Sequence, residues 1–400
     1  MPKNLLTLQY RYIKKFNTME YRRLGNTALE VSAIALGCEG FVGKSVSEVT
    51  SQMDYAISKG INFMDIYSSN PQLRANLGEA LLGRRNRFIL QSHLCSTWEN
   101  GQYLRSRDLK KTQIAFEDML RLLQTDYIDV GMIHYVDDER DYHRVFDGEI
   151  IKYAQQLKKE GRIRYIGMSS HNPQVALMAV QSGLIDVLMF SINPCYDMQP
   201  ASEDCEDLWK DENYEHSLQN IDPQRERLYE LCESRGVGID VMKVYGGGDI
   251  LSEQNSPFGK ALTPSQCLEY ALTRPAVAAV MVGCKSNEEI DAALEWCSAD
   301  KLQKDYASAI SGMDKFTWKG HCMYCGHCAP CSVSIDIASV NKYYNLCVAQ
   351  NEIPETVREH YKLLAHHAGE CIACGRCEKN CPFGVSIIEG MQKAKQLFGY

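Results

Sequence analysis

The chain has 400 residues, 45% of them hydrophobic, enough for one large core and a small appendage. The formal net charge is −8, with both signs spread along the chain and no long basic run, so nucleic acid is not an expected partner. No stretch of about 18 uninterrupted apolar residues occurs, and the N-terminus lacks an apolar block with a small-residue cleavage site, so neither a membrane span nor a secretory signal is expected.

Past the first residues, short apolar runs alternate with amphipathic stretches. The runs begin at Val31 (VSAIALG), Ile61 (INFMDIY), Phe88 (FILQSHL) and Ile128 (IDVGMIHYV). They continue at Ile163 (IRYIGMSS), Ile185 (IDVLMFSIN), Val237 (VGIDVMKV) and Val277 (VAAVMVG). Each is continuous, as parallel strands buried on both faces should be. Helices lie between them, such as Asp108 to Leu123, with apolar Leu109, Ile114, Phe116, Met119, Leu120 and Leu123. Gly60, Gly161 and Gly236 each precede a strand, where a helix-ending glycine belongs. Such β-then-α units, eight in roughly 250 residues, predict an α/β chain with a closed (β/α)8 TIM barrel. An open doubly wound sheet is the alternative, but no G-x-G-x-x-G follows the first strand.

In such a barrel the chemistry sits at the C-terminal ends of the strands. Polar residues there are Asp65 and Tyr67, His93, His134, Ser169 and Ser170, Asn193, Lys243, and Lys285 with Ser286. A lone buried His or Asp is usually a satisfied core residue. A ring of polar strand ends converging on one cavity predicts an active site. The acidic segment Tyr196 to Pro223 is the expected lid or substrate loop.

The 17 cysteines set this chain apart. Disulfide frameworks belong to small secreted domains, so metal or cluster ligation comes first. Nine cysteines are scattered, and eight fall into two tight groups. One group reads Cys371-x2-Cys374-x2-Cys377-x3-Cys381-Pro382, the spacing of bacterial ferredoxins, in which the fourth cysteine reaches a second cluster. The other reads Cys322-x2-Cys325-x2-Cys328-x2-Cys331. Two [4Fe-4S] clusters are therefore expected. Cys322, Cys325, Cys328 and Cys381 hold one, and Cys371, Cys374, Cys377 and Cys331 hold the other. Structural zinc is the alternative, although zinc sites favour two widely separated cysteine pairs.

From about Met19 to the C-terminus, the chain resembles an aldo-keto reductase with a fused ferredoxin-type tail. MEYRRLGNTALEVSAIALG resembles the family's opening hairpin and first strand, and GINFMD, TDYIDVGMIH, GRIRYIGMSSH and MKVYGGG resemble later strand motifs. The expected division is an N-terminal extension at 1–18, a barrel at 19–310 and a small α-rich ferredoxin-like iron–sulfur domain at 311–400. The resemblance implies NAD(P)H-dependent carbonyl reduction by an Asp, Tyr, Lys and His tetrad, with Tyr as proton donor. Asp65 and His134 match two of the four. Asn70 stands at the Tyr position and His93 at the Lys position. On the cofactor side, Ser169 and Ser170 match contacts to the nicotinamide amide, and Lys285 and Ser286 match contacts to the adenosine 2′-phosphate. Met189 replaces an expected glutamine. Lys243 ends a strand beside the loop Gly246, Gly247, Gly248, whose bare backbone suits a pyrophosphate. Acidic Glu288, Glu289 and Asp291 follow Lys285 and weigh against a 2′-phosphate.

With Asn70 unable to donate a proton, His93 becomes the expected acid, paired with Asp65, and Tyr67 the second candidate. The expected function is a cytoplasmic iron–sulfur oxidoreductase acting on a small carbonyl or activated alkene. Clusters move single electrons, so an external ferredoxin or flavoprotein is a candidate partner. A non-redox lyase or isomerase on the same barrel, or a non-catalytic electron-transfer or redox-sensing protein, are the competing readings.

Overall fold

Continuous apolar runs must be covered on both faces, and this chain covers them by closing them into a ring. The computed structural model describes residues 19–210, 213, 218–311, 316–317, 320, 322, 324–350, 353 and 355–400; the extension at 1–18 lies outside them. The strands are β1 (Tyr21–Arg23), β2 (Glu30–Ser32), β3 (Ile34–Gly37), β4 (Phe63–Ile66), β5 (Ile89–Leu94), β6 (Ser96–Glu99) and β7 (Gln102–Arg105). They continue with β8 (Ile128–Ile133), β9 (Ile163–Ser170), β10 (Val187–Ser191), β11 (Leu218–Gln219), β12 (Gly238–Met242), β13 (Val277–Gly283) and β14 (Phe316–Thr317). Eight of them close in the order β3-β4-β5-β8-β9-β10-β12-β13, with every barrel pairing parallel. The open doubly wound sheet is thereby set aside.

The run at Val31 does not form one strand. Its first part, β2, pairs antiparallel with β1. Leu24, Leu29 and Val31 of this hairpin pack with Phe63, Val130 and Val187 inside the barrel. A Cβ on Gly25 would sit 2.3 Å from the Gly238 nitrogen, at the start of β12, so the hairpin presses on the N-terminal ends of the strands. The barrel therefore opens at its other end.

Local chemistry sets the element ends. Gly161 and Gly236 take φ of 73° and 67°, the left-handed turn that stops a helix before the next strand. Asp108 caps helix Leu109–Leu123 by accepting from Lys111 N–H. Within that helix Phe116, Met119, Leu120 and Leu123 are buried as expected, whereas Ile114 is exposed.

Helices Ile337–Gln350, Glu355–Lys362 and Ile387–Phe398 build a second, smaller core around Val340, Leu346, Tyr361, Met391 and Phe398. It meets the barrel through helix Ile337–Gln350 on helix Pro223–Arg235, with Lys342 paired to Glu233 at 3.5 Å. Phe383 belongs to the barrel-side core, and Cys325 and Cys381 pack against it. Among the described residues no helix is long and apolar enough to cross a membrane.

Candidate active site

Side chains alternate faces along a strand, so every second residue of each barrel strand turns inward. At the open end these residues and the following loops line a cavity of about 2110 Å³, counted to its mouth. Asp65, Tyr67, His93, His134, Ser169, Lys243, Gly247, Gly248 and Lys285 all border it. Ser170, Gly246 and Ser286 stand off its wall. The Ser170 hydroxyl donates to Asp137 at 3.0 Å. Gly246 packs against Ile250. Ser286 caps helix Asn287–Ser298 by accepting from Glu289 N–H. Asn193, also expected at a strand end, is buried and donates to the Lys243 carbonyl at 2.8 Å. Of the lid segment, residues 211–212 and 214–217 lie outside the described residues.

The buried polar groups form one connected chain. The Gln91 amide donates to Oδ1 of both Asp65 and Asp240, at 3.1 Å each. His93 Nε2 lies 3.0 Å from Asp65 Oδ1, and His93 Nδ1 lies 2.6 Å from His134 Nδ1. His134 Nε2 lies 2.6 Å from the Tyr103 hydroxyl. Arg107 fixes this end of β8: it donates to the His134 carbonyl at 2.8 Å and pairs with Asp141 at 2.6 Å.

Burial tunes the members in opposite directions. His134 is driven well below the usual imidazole range, first by burial and then by the neighbouring His93. Asp240 is pushed well above the carboxylate range by burial and then by Asp65, and its Oδ2 has no hydrogen-bond partner. Tyr103 is pushed up to about 12, by burial and then by Tyr135. Tyr67 is also raised, by burial and then by the charge of Glu39.

Asn70 does not reach this chain. It caps helix Pro71–Leu81, accepting from Leu73 N–H at 3.0 Å. Tyr103, Glu39, Tyr135 and His171 border the cavity and escaped the sequence reading. Tyr103 had a legible signal. Asn100-Gly101, with φ of 53° and 78°, makes the tight turn of the β6–β7 hairpin, and Asn-Gly between alternating residues is a strong hairpin cue. Ser96 Oγ donates to the Tyr67 carbonyl at 2.9 Å and Ser69 Oγ to the Thr97 carbonyl at 2.7 Å, which pins the hairpin beside the mouth.

A cavity at the open end of a parallel barrel suits many chemistries, so sequence kinship has to narrow them. Residues 33–266 match the Aldo/keto reductase family. The chain belongs to the aldo/keto reductase family. It is 28% identical over 316 residues to the uncharacterized oxidoreductase YqkF of Bacillus subtilis (strain 168), covering 74% of this chain and 97% of that one. It is 25% identical over 309 residues to L-galactose dehydrogenase of Arabidopsis thaliana, covering 68% and 86%. The holo form of an aldo-keto reductase from Bacillus halodurans superposes with a TM-score of 0.56 at 24% identity, over 73% of this chain and 96% of that one; it shares the fold.

The aldo/keto reductase match ends before the cysteine groups, which the structure draws into two rings. Cys322, Cys325, Cys328 and Cys381 line a cavity of about 300 Å³, with Ala338, Phe383, Val385 and Ile387 among its other walls. Cys331, Cys371, Cys374 and Cys377 line another of about 360 Å³, with Val333, Ile335, Ile337 and Met391. Each group thus sends one cysteine to the other's ring. Asn341 Nδ2 donates to Cys322 Sγ at 3.7 Å, and the Ser332 hydroxyl lies 3.4 Å from Cys374 Sγ. Among the described residues, no three His, Cys, Asp or Glu are placed to hold a single metal ion. Cys95, singled out by its place just after His93, is buried, and burial raises its thiol.

Proposed function

We propose that this aldo-keto reductase-type oxidoreductase reduces a small carbonyl or activated alkene through an altered proton relay, in which Asn70 and His93 stand in place of the usual Tyr and Lys and His93 works with Asp65 and His134. The observation that carries the reading is the unbroken hydrogen-bonded chain from Asp65 through His93 to His134 at the cavity wall. Buried groups so linked exchange protons without water, which is what reduction of a polar double bond needs at its oxygen.

A nicotinamide fits the cavity beside this chain. Ser169 Oγ is buried there without a hydrogen-bond partner, a vacant donor and acceptor for a carboxamide. Gly247 and Gly248 have no atom within 4 Å of where a Cβ would stand, so their bare backbone leaves room for a pyrophosphate. Lys243 and Lys285 border the same wall. When bound, the nicotinamide supplies hydride. The protein's own part is to exclude water, hold the substrate oxygen near His134 and deliver the proton. Glu289, which accepts from Lys285 N–H at 2.6 Å and borders the cavity, favours a ribose hydroxyl over a 2′-phosphate.

Residues 311–400 constitute an iron–sulfur domain with two [4Fe-4S] clusters. Cys322, Cys325, Cys328 and Cys381 hold the one against the barrel, and Cys331, Cys371, Cys374 and Cys377 hold the other. Mostly apolar walls favour cubanes over zinc, and among the described residues no three such ligands are placed to converge on one ion, as zinc thiolates do at about 2.3 Å. Such clusters pass single electrons, and Cys374 is exposed where a ferredoxin or flavoprotein donor could approach.

The deciding experiment is anaerobic calorimetric titration of the cluster-loaded protein with NADH and NADPH. Binding of either sustains the reading, and NADH is expected to bind more tightly. Binding of neither would mean that this barrel has abandoned nicotinamide.

A further inference from the structure

We infer that Tyr103, carried on the β6–β7 hairpin, is the residue that hands the proton to the substrate oxygen. This deepens the carbonyl-reducing reading and rests on it. The geometry fixes the direction of each bond. Asp65 can only accept when ionised, so His93 Nε2 carries the hydrogen facing it, 3.0 Å away. In a neutral His93 the other nitrogen, Nδ1, is then an acceptor. His134 Nδ1, 2.6 Å away, must donate to it. That leaves His134 Nε2 as an acceptor, and the Tyr103 hydroxyl, 2.6 Å away, donates to it. With His93 neutral and Asp65 ionised, this is the one arrangement that satisfies every partner.

One added proton, residing on His93 against Asp65, reverses the outer part of the chain. His93 Nδ1 then donates to His134 Nδ1, and His134 Nε2 donates to the Tyr103 oxygen. The Tyr103 hydrogen is released from His134 and turns toward the cavity that Tyr103 borders. In the reaction the carbonyl carbon accepts a hydride from reduced nicotinamide, which leaves oxidised. The carbonyl π pair moves to oxygen, which bonds the Tyr103 proton. Tyr103 takes the proton of His134 Nε2, and His134 takes that of His93 Nδ1. His93 ends neutral, still donating to Asp65, and solvent supplies one proton per turnover.

Tyr67 has no place in this sequence. Its ring lies parallel to His134 at 6.2 Å, and the hydrogen bonds from Asp65 through His93 and His134 to Tyr103 do not pass through its hydroxyl. His93 is buried, with both ring nitrogens occupied, so it reaches the substrate only through others. Tyr103, 37% exposed, is the member that meets the cavity mouth. Its high pKa keeps it protonated between turnovers. The usual donor comes from the position held here by Asn70, so the proton donor has moved from a helix start to a hairpin.

The test uses the intact, cluster-loaded protein under argon, with 4-nitrobenzaldehyde as probe and the nicotinamide that binds. Tyr103→Phe should lower kcat at least about a hundredfold, with nicotinamide affinity by calorimetry unchanged. Tyr67→Phe should stay within tenfold of wild type. Positioning residues carry their own signature: His93→Asn should flatten the pH profile of kcat. In wild type, ¹⁵N spectra should report His134 protonated at Nδ1, with an Nε2 acceptor shift that Tyr103→Phe removes. Turnover lost in His134→Gln but kept in Tyr103→Phe would overturn the Tyr103 assignment alone. No turnover of the probe by wild type, with nicotinamide bound, would overturn it together with the carbonyl-reducing reading.

Discussion

Asp240→Asn should make the protein more stable at neutral pH, by an amount that grows with pH. Asp240 is fully buried inside the barrel, with one oxygen accepting from Gln91 and the other without a partner. Burial, reinforced by Asp65, raises its pKa well above normal. A carboxyl that is neutral in the fold has taken up a proton that an ordinary carboxyl, with a pKa near 3.9, would shed, and this costs about 1.4 kcal/mol for each pH unit above that value over which it stays neutral. The sign follows from linkage. The native state binds more protons than the unfolded chain above that ordinary pKa, so this group's contribution is complete below about pH 4 and is lost as pH rises. Asparagine keeps the acceptor for Gln91 and binds no proton, at a cost of about 1–3 kcal/mol for its unpartnered amide. The difference between variant and wild type should therefore grow from pH 5.5 to 7.5, by up to about 1.4 kcal/mol per pH unit. In anaerobic thermal unfolding followed by circular dichroism, the gap in Tm should widen by several degrees over that range. Parallel curves would show that Asp240 is ionised in the fold and that the argument from burial is wrong.

Asn70→Tyr, which restores the residue expected at that position, should cost about 1 kcal/mol by removing the cap on Leu73 N–H, and kcat should not rise. A rise would show that a donor at that position still works. Gly78→Ala should destabilise by about 1–3 kcal/mol in urea unfolding, because its Cβ would meet the Leu122 carbonyl oxygen at 2.0 Å where two helices touch. On the proposed two-cluster reading, Cys374→Ser should lower the iron content from about eight to about four atoms per chain, leaving the signal of the barrel-side cluster. Full iron retention would remove Cys374 from the ligand set.

What the sequence determined was whatever depends on neighbours along the chain. Continuous apolar runs specify strands covered on both faces. Gly161 and Gly236 stop helices because no side chain opposes a positive φ there. Triplet spacing brings three cysteines of each group to one ring. The split of the run at Val31 was beyond that level, since only contact with the strand starts makes β2 a plug instead of a barrel strand. Tertiary structure alone decided the chemistry of the cavity. Tyr67 lies two residues from Asp65 in sequence and stands outside the hydrogen-bonded chain. Tyr103 lies 31 residues from His134 and sits 2.6 Å from its nitrogen. Hydrogen bonds depend on ångström separations that the closing of the barrel sets, and sequence spacing does not encode those.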